Sequence, residues 1–376
     1  MNIRTRAAAF TLAVCATPAF ADLTADDVLS AMTTQLSAFD LLDVSVQGKT
    51  RDGDTLSIAR ISATADIDGA PMTLSFGPMA YQELNDGSVA ILYREPLRTR
   101  LITVDGDSPV EVTVDLNMTD ASHIATGSPD RIRYAFSASA MQLNNLVIET
   151  DESLKPELDA NITGISSIVE TATGDTFSQM VDYSLDALTV DFKFDEPDLD
   201  TTAHIKFAMA DVGVDYEIEF TLETLMTSVA QALRDGNRLS LTMTTGEYIQ
   251  DMRIDTPSEQ SVMASRTDGS NMTLNIDQHG LFYEAGYDGS YAEVSGQNMP
   301  FGTFTYALGE TEIGLAFPLL PSDEPQPFAL RTSILGMSVG DDIWNLFDAA
   351  GQLPRDPLNF VIDLEGTTRV TEDFLK

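Results

Sequence analysis

Three histidines, His123, His204 and His279, are the residues here best suited to proton transfer or metal binding near neutral pH. None stands in an HExxH pattern, and none neighbours another histidine or a cysteine. Each therefore reads as a surface or turn residue. The one cysteine, Cys15, falls in the first apolar stretch, so disulfides and thiolate metal sites are excluded once that stretch is removed. No serine occupies a GxSxG elbow, and no Walker loop or GxGxxG turn occurs. The acids remain. Asp52-Gly53-Asp54, Asp66-Ile67-Asp68-Gly69 and Asp105-Gly106-Asp107 space their oxygens closely enough for calcium, although the twelve-residue EF-hand loop is absent. Aspartate and glycine also suit tight turns for backbone reasons alone. Paired carboxylates for glycoside hydrolysis would want an aromatic sugar cleft, and the single tryptophan lies in an apolar segment. These patterns call for no cofactor and no metal, and the chain reads as non-enzymatic.

Charge and targeting narrow the field further. Arg4 and Arg6, the apolar run from Ala7 to Cys15 and the small residues Ala19 and Ala21 make residues 1–21 a secretory signal, with cleavage before Asp22. The run is too short to span a bilayer, which takes about 20 residues. The expected location is the periplasm or another exported compartment. Loss of Arg4 and Arg6 takes the net charge from −38 to −40. Such a field repels phosphate backbones and anionic membranes, so nucleic acid is not an expected partner. No later stretch is apolar enough for a transmembrane helix. At 43% hydrophobic residues the chain can bury a large core.

The elements that position these residues are mostly strands. Val28, Leu29, Met32, Leu36 and Phe39 share one face at helical spacing, which predicts a first helix over 26–39. From Leu42 the period changes to two. Long alternating runs follow, separated by turn signals such as Asn85-Asp86-Gly87, Asp268-Gly269 and Asp288-Gly289. His204 to Ala210 and Val214 to Phe220 read as two strands. So do Gly280 to Tyr287 and Gly289 to Ser295, and Gly302 to Leu308 and Thr311 to Phe317. A helix is predicted over 222–233, with a soft division near 222–237 inside one elongated domain spanning 22–376. The fold class is mainly β: a large curved antiparallel meander of long strands with a few short helices. If one face is left uncovered, Met72, Met118, Met209, Met243, Met252, Met263 and Met272 are candidates to line an apolar groove. The plainer alternative is that they fill a core.

Near the end, Asp341 is positioned to cap a short helix, because carboxylates suit free N–H groups and the positive dipole end. Trp344, Leu346 and Phe347 then read as an inward aromatic plug, followed by a stiff connector at Pro354 and Pro357. Pro300, Pro318 to Pro321, Ile343 to Asp348, Leu353 to Pro357 and Asp363 to Gly366 make the 261–366 segment resemble the DUF2125 family, exported proteins of alphaproteobacteria. Ala349 stands where that family often has proline, and its members are expected to extend past Lys376. The family is broadly similar to AsmA-like and YdgA-like periplasmic β-proteins. The resemblance implies lipid handling or envelope maintenance and brings no catalytic residues. The leading expectation is a β-groove protein that binds or shields a lipid or other apolar small molecule. A scaffold with a self-filled core and a carboxylate hydrolase are the alternatives. An open apolar trough, a closed core or a polar cleft with facing acids separates the three.

Overall fold

The computed structural model describes residues 23–37, 42–67, 70–105, 108–149, 155–173, 176–196, 199–221, 228–297, 299 and 302–371. Ala19, Ala21 and Asp22 lie outside them. The first helix, α1, spans Ala25–Ser37. Strands β1 (Asp43–Gln47), β2 (Thr50–Asp52), β3 (Thr55–Ile58), β4 (Arg60–Ile67), β5 (Ala70–Glu83) and β6 (Val89–Asp105) follow. Next come β7 (Ser108–Thr119), β8 (Ser122–Ser128), β9 (Arg131–Glu149), β10 (Lys155–Ala172), β11 (Phe177–Glu196) and β12 (Thr201–Phe220). A short helix α2 (Val229–Arg234) precedes β13 (Arg238–Thr245), β14 (Tyr248–Asp255), β15 (Gln260–Thr267), β16 (Gly269–Asp277) and β17 (Gly280–Gly296). The chain closes with β18 (Thr303–Phe317), β19 (Gln326–Val339), α3 (Asp341–Phe347) and β20 (Leu358–Thr368).

All twenty strands belong to one antiparallel sheet. Five collinear pairs (β1 with β2, β3 with β4, β7 with β8, β13 with β14, β15 with β16) reduce them to fifteen rows in chain order. Strand β12, which precedes α2, pairs directly with β13 and β14, which follow it. Among the described residues no helix is long and apolar enough to cross a membrane.

Each long row breaks near its middle. The break is Gly77-Pro78 in β5, Gly164 in β10, Asp211 in β12, Gly289 in β17 and Gly336 in β19, each glycine and Asp211 at positive φ. Positive φ is cheap for glycine and tolerated by aspartate. The breaks line up across the sheet: Gly164 meets Asp186, Gly246 meets Asp211, Gly289 meets Asp268 and Gly309 meets Gly336. Side-chain alternation shifts by one residue at this line. In β11 the inward residues are Tyr183 and Leu185 before it, then Leu188 and Val190 after it. One apolar face therefore continues across the line instead of switching sides. Met141, Ile162 and Leu188 from one half pack on Ala138, Ile165 and Leu185 from the other, so the sheet folds towards that face.

This arrangement corrects several boundaries. Asp288-Gly289 lies inside β17 and Asp268-Gly269 joins two collinear strands, so neither is a hairpin turn. His204 to Ala210 and Val214 to Phe220 are one strand, as are the two halves of β18.

The main core sits at the first end of the sheet. There Leu23, Val28 and Leu29 of the α1 region pack over Leu56, Ile58, Ile61, Tyr81 and Ile132. Ala230 and Leu233 of α2 pack with Leu320 at a rim farther along.

Candidate apolar trough

Beyond α1 the folded face carries continuous apolar files. On one side of the bend line Val169 lies opposite Val181, Val181 opposite Tyr216 and Tyr216 opposite Leu241. The same file runs on through Leu274, Tyr283, Leu315 and Leu330 to Leu364. On the other side Leu158, Phe192 and Ile205 lead to Met252, Met263, Val294 and Phe304. From β9 to β20 the face crosses ten rows, or about 45 Å at the spacing of hydrogen-bonded strands. The side chains of these files are half-buried or exposed, with Ala138, Ile165 and Leu185 buried at the bend line, and among the described residues no opposing layer covers them. The outer face at matching positions holds Asp182, Asp215, Thr242, Thr273 and Glu284. Met209, Met243, Met252, Met263 and Met272 all project onto the uncovered face. Met118 is buried opposite Met141, and Met72 lies in β5 outside that run.

The titratable residues do not converge. His204 pairs with Asp191 at 2.8 Å on the outer face, and the His279 backbone N–H donates to Asp277 in a turn. Among the described residues no three His, Cys, Asp or Glu side chains gather as a metal-ligand set.

His123 departs from the surface role expected of it. It sits between Tyr93 and Phe136, with the Tyr93 hydroxyl 2.5 Å from Nδ1 and Phe136 edge-on at 5.5 Å. β8 brings it onto the face beneath α1, where alternation with Ala125 turns it inward. Burial lowers its pKa from 6.5 to about 4 and pushes the Tyr93 phenol up to about 12. The folded state thus keeps His123 neutral down to about pH 4, while the unfolded chain takes up its proton below about 6.5. Stability is lost as pH falls through that window, by up to about 3 kcal/mol. Unfolding of wild type and His123→Phe at pH 7 and at pH 4 checks this. The wild type should lose about 2–3 kcal/mol more than the variant over that range. Equal losses would mean that His123 titrates normally.

The segment around Trp344 also differs from expectation. Gly340, not Asp341, occupies the N-cap of α3, and no side chain caps the helix. Asp341 instead pairs with Arg355, which lies 5.8 Å over the Trp344 ring. Leu346 and Phe347 are 57% and 77% exposed, and Pro354 and Pro357 are exposed too, so they form no plug. The cause is position: α3 sits beside the last rows, where among the described residues no second layer faces the sheet. Trp344 is half-buried against a cavity of about 310 Å³ lined by Met337, Val339, Arg355 and Leu358. This cavity is at the end of the trough farthest from α1. The buried member of the segment is Asp348, whose carboxylate accepts from the backbone N–H groups of Gln352 and Leu353 and is thereby held below the usual carboxylate range.

Comparison with family models, curated proteins and solved structures found no match.

Proposed function

We propose that the protein binds or shields extended apolar molecules, such as lipid acyl chains, along the folded face, and does so without chemistry. One observation carries the reading. The apolar files beyond α1 are half-exposed, whereas Ile58, Ile61 and Tyr81 beneath α1 are buried. A self-filled scaffold would bury Leu241 and Leu274 as thoroughly as Ile58 and Ile61. The length of about 45 Å exceeds the roughly 30 Å hydrocarbon thickness of a bilayer, so whole acyl chains fit along it. The signal pattern at 1–21 and the resemblance to DUF2125 support an exported, envelope-related role for the same activity. Strong negative charge on the outer face disfavours nucleic acid as a partner.

The test uses N-phenyl-1-naphthylamine, an uncharged apolar dye, with the purified chain. Binding should be saturable and should alter Trp344 emission, because Trp344 flanks the far end of the face. Native mass spectrometry after gentle purification should show lipid-sized adducts. Leu241→Asp combined with Leu274→Asp should weaken dye binding at least about tenfold, since each leucine contributes roughly 1.5–3 kcal/mol of apolar burial. Both are half-buried, so the fold should persist. Absence of dye binding together with adduct-free protein would refute the reading.

A further inference from the structure

Among the described residues the apolar face ends on a strand paired on one side. β20 pairs with β19 on one side, and among the described residues no strand pairs with its other side. On the folded face Leu358, Phe360, Ile362 and Leu364 are 56%, 52%, 37% and 51% exposed. Sheet edges are normally guarded by lysine, proline or a bulge, because free backbone groups recruit other strands. The opposite edge follows that rule. Gly48, at φ 66°, breaks β1 from β2, and Lys49 and Arg51 beside it are tied to Asp26 of α1. From Leu358 to Thr368 there is no lysine, arginine or proline.

We propose that β20 pairs antiparallel with β20 of a second copy of this chain, about a twofold axis at Ile362. On the folded face this sets Phe360 against Leu364 of the second copy, and Ile362 against its equivalent. On the outer face Asp363 meets Val361 and Glu365 meets Asn359, so no two carboxylates oppose each other. Moving the axis to Asp363 would face the two aspartates directly, which is unfavourable. Pairing about Ile362 is therefore self-complementary.

A contact between β20 and the β1 edge fits worse. It would be heterologous, leaving both edge types free to propagate. Fifteen alternating rows also make β1 and β20 run in the same direction, so a copy stacked in the same orientation would meet an antiparallel sheet with a parallel strand. The twofold pairing consumes both bare edges, and the apolar face then runs unbroken from one copy into the other.

The experiment is light scattering on the full chain at micromolar concentration, with site-specific crosslinking. The expected mass is twice that of the 40.8 kDa chain. Ile362→Lys should give monomer with an unchanged circular dichroism spectrum. With Cys15 replaced by serine, Ile362→Cys should oxidise to a covalent dimer, because opposed strand residues lie about 4.5–5.5 Å apart, within disulfide reach. Asp363→Cys should not. Monomeric wild type, a dimer that survives Ile362→Lys, or crosslinking through Asp363→Cys in place of Ile362→Cys would overturn the proposal. The outcome does not depend on whether the trough binds lipid.

Discussion

Tyr81→Ala should cost about 3–5 kcal/mol of unfolding free energy, measured by chemical denaturation. Tyr81 is fully buried at the centre of the main core. Its ring lies between α1 and the sheet, and among the described residues its hydroxyl reaches Met32 Sδ and Met79 Sδ, both at 3.7 Å. Removing the ring loses transfer energy and leaves a cavity that a sheet fixed on both sides cannot close. Tyr81→Phe keeps the ring and loses only those weak contacts, so it should cost less than about 1 kcal/mol. Comparable losses for both variants would place the energy in the hydroxyl and contradict the packing account. Because α1 is held chiefly through this core, the alanine variant should also bind more apolar dye.

Gly164→Ala should destabilise the sheet by about 2–3 kcal/mol, through two separable causes. The backbone sits at φ 61°, where a side chain carries strain, and an added Cβ would collide with the Asp186 carboxylate on the neighbouring strand. Adding Asp186→Gly removes the collision and leaves the strain. The double variant should recover about 1 kcal/mol, which a double-mutant cycle measures as coupling. Simple additivity would show that the Asp186 contact carries none of the cost.

That pair of residues also explains what could and could not be read from the chain. The period-two pattern and the α1 stripe were legible because each depends only on residues adjacent in sequence. Five of the seven methionines named as candidates for a groove lie on the uncovered face for the same reason: alternation decides the face. The bend line was not legible as such. At Ala210 to Val212 the alternation reverses phase around an aspartate, which is also how a turn between two strands looks. Phase alone does not tell whether the chain has turned back or only bent. The distinguishing signal is spacing: a tight hairpin reverses the chain over at least two loop residues, whereas here pairing resumes on the same partner strand. Trp344, Leu346 and Phe347 misled differently. Their apolar character pointed inward, but inward requires a second layer, and nothing local to the sequence reveals that α3 packs where the sheet has none. His123 was missed because its partners, Tyr93 and Phe136, come from rows on either side of it.

The strict chain order of the rows has a mechanical meaning. Each row is bonded only to its neighbours, and the two ends of the described chain lie on opposite sides of the stack. Tension between those ends acts across the strands, so hydrogen bonds are loaded a few at a time instead of all together. The sheet responds as a zipper, shedding β20, then β19, then β18, and each release returns a row length of slack. Resistance is local to the row being peeled. Where α2 packs on Leu320, and most extensively at the α1 core, a helix ties several rows together and the load meets a cross-braced block. A protein built this way yields gradually at one end and holds firmly at the other.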